Sequence, residues 1–303
     1  MNACHRAAIP ELIMLGGKLN MNIKEKIGHL FGDVSMSWKR VIIFAIAAGA
    51  YTGIINQIPA VHSTSLDDIA VSYELWVLFA VLIAVNCKKP LEAGLKVFVF
   101  FLISQPLCFL VEIPMLGLSQ AFYYFRLWIV MILLTFPGGI VVFFAKKNNI
   151  IGALVTAAAC SIIAVSLVYY GLGVITDFPG HLLTTVFCLV TIILFIMFIV
   201  KKNRLRAAAA VITIAVCLVT GYKLWNTENE MSVEIPAGYT HCSLAVEDGS
   251  QVSIDPEAQC LYYTYKPYNT AAENTITISN DSNQKIVYEV IKGKTSVNIV
   301  KAK

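Results

Sequence analysis

The sequence predicts a polytopic all-α membrane bundle of seven transmembrane helices followed by a C-terminal all-β sandwich domain. Three observations predict this. Hydrophobic residues make up 57% of the 303-residue chain and charged residues only 14%, against the roughly 25% charged that soluble domains carry. Apolar runs of near-spanning length recur up to residue 225, separated by short Lys/Arg clusters. Beyond residue 226 those runs cease, and β-branched and aromatic residues alternate with polar ones, the period of a half-buried strand.

Composition also narrows the function classes. The formal charge of +4 is small, and the basic residues lie between apolar runs rather than in one stripe. That pattern argues against a nucleic-acid partner and for the lipid bilayer as the chain's first partner. Eight cysteines are spread singly, without C-x-x-C or C-x-x-H spacing, so no metal or other cofactor is predicted. There is no H-E-x-x-H, G-x-S-x-G, Walker lysine or dinucleotide glycine fingerprint, and hence no predicted catalytic residue.

In chain order, residues 1–37 form a cytoplasmic N-terminal segment. Met21 opens a second start, and Gly16-Gly17-Lys18 just upstream fits a translated ribosome-binding purine run, so residues 1–20 are expected to be non-native. Residues 23–31 read as a short amphipathic helix on the inner face or a frayed solvated segment.

The membrane domain is expected over residues 38–225. Its first span, 41–58, follows Lys39-Arg40 and ends at Asn56-Gln57-Ile58-Pro59. Ala48-Gly49-Ala50 resembles a signal-peptidase site, but the apolar run before it is too short for a secretory signal. The second span must run over 69–87 to reach the roughly 20 residues that a crossing needs, which places Glu74 inside it. Further spans are predicted at 95–114, 125–145, 150–172, a run ending at Val200, and 207–225.

The basic clusters at 39–40, 88–89, 146–147 and 201–206 all fall on one side of this alternating trace. By the positive-inside rule the N-terminus is cytoplasmic and the C-terminal domain is outside the cytoplasmic membrane. Trp76, Tyr123, Tyr124, Trp128, Tyr169, Tyr170, Tyr222 and Trp225 then gather near the outer interface, as an aromatic belt does.

Residues 226–303 are the predicted extracytoplasmic β domain, with strands at 231–235, 242–246, 251–254, 260–265, 274–279, 285–291 and 296–300. Turn-rich pieces such as Glu247-Asp248-Gly249-Ser250 separate them. Strands of this number and spacing suggest an immunoglobulin-like sandwich. Cys242 and Cys260 are a candidate disulfide, which would stabilise so small a domain by about 3 kcal/mol; two separate thiols are the alternative.

Charged residues in hydrocarbon cost roughly 2.5–3.5 kcal/mol each on insertion scales, so each asks for a reason. Glu74, Glu112 and Arg126 fall in the outer halves of sequential spans, where an ion-paired cluster is expected. Glu112 and Arg126 read as interfacial groups, Lys96 as a snorkelling anchor, and Glu74 as the strongest of the set. Gln105-Pro106 lies near mid-membrane, and Pro106 removes a helix bond and frees the Leu102 carbonyl. Pro137-Gly138-Gly139 does the same to Leu133 on the next span, the two sites lying about 16 and 12 Å from the cytoplasmic edge. Proline and glycine equally serve to kink helices for packing. His62, Asp67, Asp68, Asp177, His181 and His241 read as solvated loop residues, and Tyr262, Tyr263, Tyr265 and Tyr268 as part core, part aromatic surface.

Two functions follow. One is movement of a small polar or ionic solute through a site at broken helices three and four, lined by Gln105, Pro106, Pro137, Gly138, Gly139 and Glu74. The other is an envelope adaptor or sensor whose outer domain binds a partner.

Overall fold

A computed structural model describes residues 25–62, 64–176, 178–246, 249–267, 273–292 and 297–302. The Met21 start, Asp177 and Tyr268 lie outside the described residues. The chain divides into two compact units, Met1–Tyr170 with Gly180–Cys217, and Gly171–Pro179 with Leu218–Lys303.

The first unit is helical. After a short helix at residues 25–30, α1 (Trp38–Ile55) begins at Ser37, whose hydroxyl accepts from the Arg40 amide at 3.4 Å. There follow α2 (Ser65–Val71), α3 (Tyr73–Val85), α4 (Pro90–Leu116), α5 (Leu118–Phe143), α6 (Ile150–Thr176), α7 (Leu182–Leu194) and α8 (Asn203–Asn226). Among the described residues, six helices are long and apolar enough to cross a membrane, or seven spans if the pair α2 and α3, bent by 51°, is one of them.

The bend replaces the straight second span expected from the sequence. Ser72 takes an extended conformation, φ −73° and ψ 161°, so the helical ladder stops there and restarts. Its amide still reaches the Asp68 carbonyl at 2.9 Å, which keeps the two halves joined.

The expected breaks are absent. α4 runs on through Pro106 and Pro114, and α5 runs on through Pro137. Packing against neighbours holds a membrane helix together where proline removes one hydrogen bond. The tightest packing is at glycines. A Cβ on Gly49 would stand 2.4 Å from the Ser104 carbonyl oxygen, and one on Gly53 2.8 Å from that of Cys108. Gly49 and Gly53, one turn apart on α1, thus form the seam on α4, the small-residue packing familiar from membrane helices. Gly139 of α5 packs in the same way on Gly94 of α4, 3.0 Å from Cβ to Cα.

Two apolar cores result. Val41 and Ala45 of α1, Trp76 and Ile83 of α3, Phe100 of α4 and Ile132 of α5 belong to the first. Val81 and Val85 of α3 join Cys160 and Ile163 of α6 and Cys188 and Ile192 of α7 in the second. α3 is therefore shared between them. Its last turn is tied to the segment before α1: the Asn86 side chain donates to the Leu30 carbonyl at 2.6 Å and accepts from the Val34 amide at 2.9 Å.

The span ending at Val200 closes in a π-helical turn, Phe195–Ile199. Arg206 satisfies two of the carbonyls left over, donating to Val200 at 2.5 Å and Met197 at 2.8 Å.

The second unit holds a β region of two antiparallel sheets. β1 (Asn229–Glu234), β4 (Cys260–Tyr265) and β3 (Gln251–Asp255) form one in that order; β2 (Tyr239–Leu244), β5 (Glu273–Asn280), β6 (Lys285–Lys292) and β7 (Val297–Lys301) form the other. Alternate residues point inward, so Leu261 and Tyr263 of the first sheet share a core with Ile276, Ile278, Tyr288 and Val290 of the second. Tyr263 is thus core rather than surface.

Cys242 and Cys260 are both free thiols on strands of different sheets. The Cys242 thiol turns to the Val252 carbonyl at 3.6 Å, and burial pushes it above the usual thiol range.

Candidate functional site

The site centres on the bend. Restarting the helix after Ser72 puts Glu74 in the first turn of α3, where the helix dipole favours a negative charge. The residue is only 1% exposed, and neither carboxylate oxygen has a hydrogen-bond partner. The Ser72 hydroxyl is likewise buried and unbonded. Burying a carboxylate without a hydrogen-bond partner is costly. Among the described residues, no ion pair includes Glu74.

One turn before the bend, Asp68 takes a 2.7 Å contact from His181 Nδ1 and a 3.0 Å hydrogen bond from the Thr184 hydroxyl. Ser65 donates to the Gly180 carbonyl at 2.8 Å and accepts from the Leu183 amide at 3.1 Å. These contacts pin α2 to the first turn of α7. The Tyr170 ring lies 5.6 Å from the His181 ring. Its phenol is within electrostatic reach of Asp68 and Glu74 and close to the Ser72 hydroxyl.

Asp68 and His181, expected as solvated loop residues, are therefore members of a folded polar cluster with side chains 12% and 14% exposed. No local signal marks them, because 113 residues separate the pair.

Ring packing relates Glu74 to the polar residues of α4. The Trp76 ring sits 6.1 and 5.8 Å from those of Phe100 and Phe101. Glu74 is two residues nearer the α2 end, about 3 Å along the axis. One turn on from Phe100 and Phe101, α4 carries Ser104 and Gln105. Both are buried, 0% and 3% exposed, and the Ser104 hydroxyl has no partner.

Other candidates go elsewhere. Glu112 is packed inside the protein: it is 4% exposed and accepts from Asn56 at 2.5 Å and from the Cys108 thiol at 3.3 Å. Asn56 caps α1, and Gln57 beside it donates to the Val111 carbonyl at 2.6 Å, so the end of α1 covers this carboxylate. Arg126 is exposed, and among the described residues it forms no ion pair with Glu74 or Glu112; the expected charged cluster is absent. Lys96 does not snorkel. It is 4% exposed and donates at 2.5 Å both to the Met36 carbonyl and to Glu92.

Pro106 is half-buried, while Pro137 and Gly138 face outward and only Gly139 faces α4. These prolines and glycines do not line one site with Gln105. Among the described residues, no group of three or more His, Cys, Asp or Glu side chains is placed to hold a metal ion.

No family model, curated protein or solved structure matches the chain.

Proposed function

We propose that the chain is a multispan protein of the cytoplasmic membrane that moves a small polar or ionic solute, with Glu74 as the ion-binding group and Ser104 and Gln105 of α4 as further polar groups. The observation that carries this is the buried Glu74 carboxylate with both oxygens unpartnered. Such a group lowers stability unless it serves a purpose, and ion relays in membrane proteins use it. The site moves from the prolines of the third and fourth spans to the bend of the second, a discontinuous helix of the kind that transporters place beside their solutes.

On this reading the bent pair α2–α3 is one crossing and the spans number seven. The hydrogen bonds that Asn86 donates to Leu30 and accepts from Val34 support it, because they bring the end of α3 back to the start of α1. So does the Thr52 hydroxyl, which donates to the Ala70 carbonyl at 3.0 Å near the other end of α1. With the basic clusters inside, the N-terminus is cytoplasmic and the β region, read as a small immunoglobulin-like sandwich, lies outside.

The full chain in proteoliposomes, with an entrapped pH-sensitive dye and an imposed membrane potential, tests the reading. Glu74→Gln and Gln105→Leu should each slow proton uptake about tenfold or more, while deleting residues 229–303 should spare it. Normal uptake in both substituted proteins ends the transport reading. The second reading, an envelope adaptor or sensor working through its β region, predicts the reverse: function lost with the deletion and kept with both substitutions.

A further inference from the structure

We propose that His181, Tyr170 and Ser72, with Asp68 holding the imidazole, form the route by which protons from the outer side reach Glu74. The proposal rests on Glu74 being the ion-binding group, and adds where its proton comes from and through which atoms.

Four partly exposed residues lead to one that is buried. His181 and Asp68 keep 14% and 12% of their side chains exposed, enough to meet water at the end of the bundle where α2 starts. The Tyr170 ring is next, 5.6 Å from the imidazole and half-buried. The Ser72 hydroxyl lies close to the Tyr170 phenol without a hydrogen bond of proper geometry. Glu74 follows two residues on, at 1% exposure. Two unbonded oxygen-bearing groups in succession at a bend are links that a small rotation or one water molecule closes.

The proton balance is simple. Asp68 fixes Nδ1, so Nε2 exchanges with outer water, and the imidazolium passes a proton to the phenol oxygen as that phenol releases its own toward Ser72. Ser72 repeats the exchange, and the carboxylate of Glu74 ends neutral with both hydroxyl groups restored. Tyr170 and Cys188 are titratable groups within electrostatic reach of Glu74, and Asp68 and Tyr170 adjoin His181. No lysine or arginine forms an ion pair with either residue among the described residues.

A carbodiimide, dicyclohexylcarbodiimide, reports the protonated carboxyl directly, and mass spectrometry identifies the modified peptide. The full chain in membrane vesicles of known sidedness should be modified at Glu74. The rate should fall about tenfold per unit of outer pH above the midpoint, with no response to inner pH. After a jump in outer pH, Tyr170→Phe, which keeps the ring but not the hydroxyl, should slow the new rate's onset at least about tenfold. His181→Gln should do the same, though it also loosens Asp68. Modification that follows the inner pH, no modification at any pH, or an unchanged time course in Tyr170→Phe overturns the route. The transport reading fails separately. If Glu74→Gln leaves proton uptake unchanged while wild-type modification still tracks outer pH, the route stands and transport does not.

Discussion

Among the described residues, three charged side chains are buried in the helical unit, and their partners distinguish them. Lys96 donates to Met36 and Glu92, Glu112 accepts from Asn56 and Cys108, and Glu74 has nothing. Removing a donor from a buried acceptor costs about 1–3 kcal/mol, whereas removing a group that has no partner costs little. Asn56→Ala should therefore lower the thermal stability of the detergent-solubilised protein by about 1–3 kcal/mol, while Glu74→Gln should change it by less than about 0.5 kcal/mol or raise it. A destabilising Glu74→Gln would mean that the carboxylate has a structural partner. Sequence alone ranked these residues only in part. Glu74 stood out because the length of a crossing forced it inside the membrane, but depth along a span does not reveal lateral contacts. Glu112 and Lys96 therefore read as headgroup ligands when their partners are Asn56 and Met36.

At the scale of helices, the long apolar helices and their basic ends were legible because hydropathy and charge are summed over many residues. Breaks were not. Pro106 and Pro137 carry the conventional signal, yet both lie within continuous helices; the interruption is at Val71-Ser72-Tyr73, where no proline or glycine stands. There the contacts of Ser65 and Asp68 with Gly180, His181 and Thr184 fix α2, and tertiary bonds of that kind leave no local trace. Glycines had a role other than the expected one. Gly139 serves contact with α4, and Gly49 and Gly53 form a seam not foreseen. Gly49→Ala, with its Cβ 2.4 Å from a backbone oxygen, should destabilise the unit by about 1–3 kcal/mol. Gly138→Ala, with nothing within 4 Å, should be neutral or gain up to about 1 kcal/mol from helix propensity. Unfolding midpoints of the two variants check the seam, and equal midpoints would remove it.

For the whole molecule, the proposed seven-span reading turns on the bend, because the bend decides whether the two ends of the helical chain would lie on one side of a membrane or on opposite sides. Six crossings return the chain to the side it left; seven put the residues beyond α8 opposite those before α1. If α2 and α3 entered and left on one face, the clusters at 39–40 and 88–89 would fall on opposite sides, against the positive-inside rule. The bonds of Asn86 to Leu30 and Val34 would then have to span the membrane at 2.6 and 2.9 Å, which no bilayer of about 30 Å allows. Seven crossings reconcile both facts. Cysteine accessibility checks this in a background where Cys242 and Cys260 are serine. Both probe positions are exposed, Ser282 between β5 and β6 and Asn203 at the start of α8. A membrane-impermeant maleimide should label Ser282→Cys in intact cells and Asn203→Cys only after permeabilisation. Labelling of Asn203→Cys from outside would invert the bundle, and with it the side from which protons approach His181. Because α8 is the single crossing between the two probes, labelling of both in intact cells would mean that α8 does not cross and would end the seven-span reading.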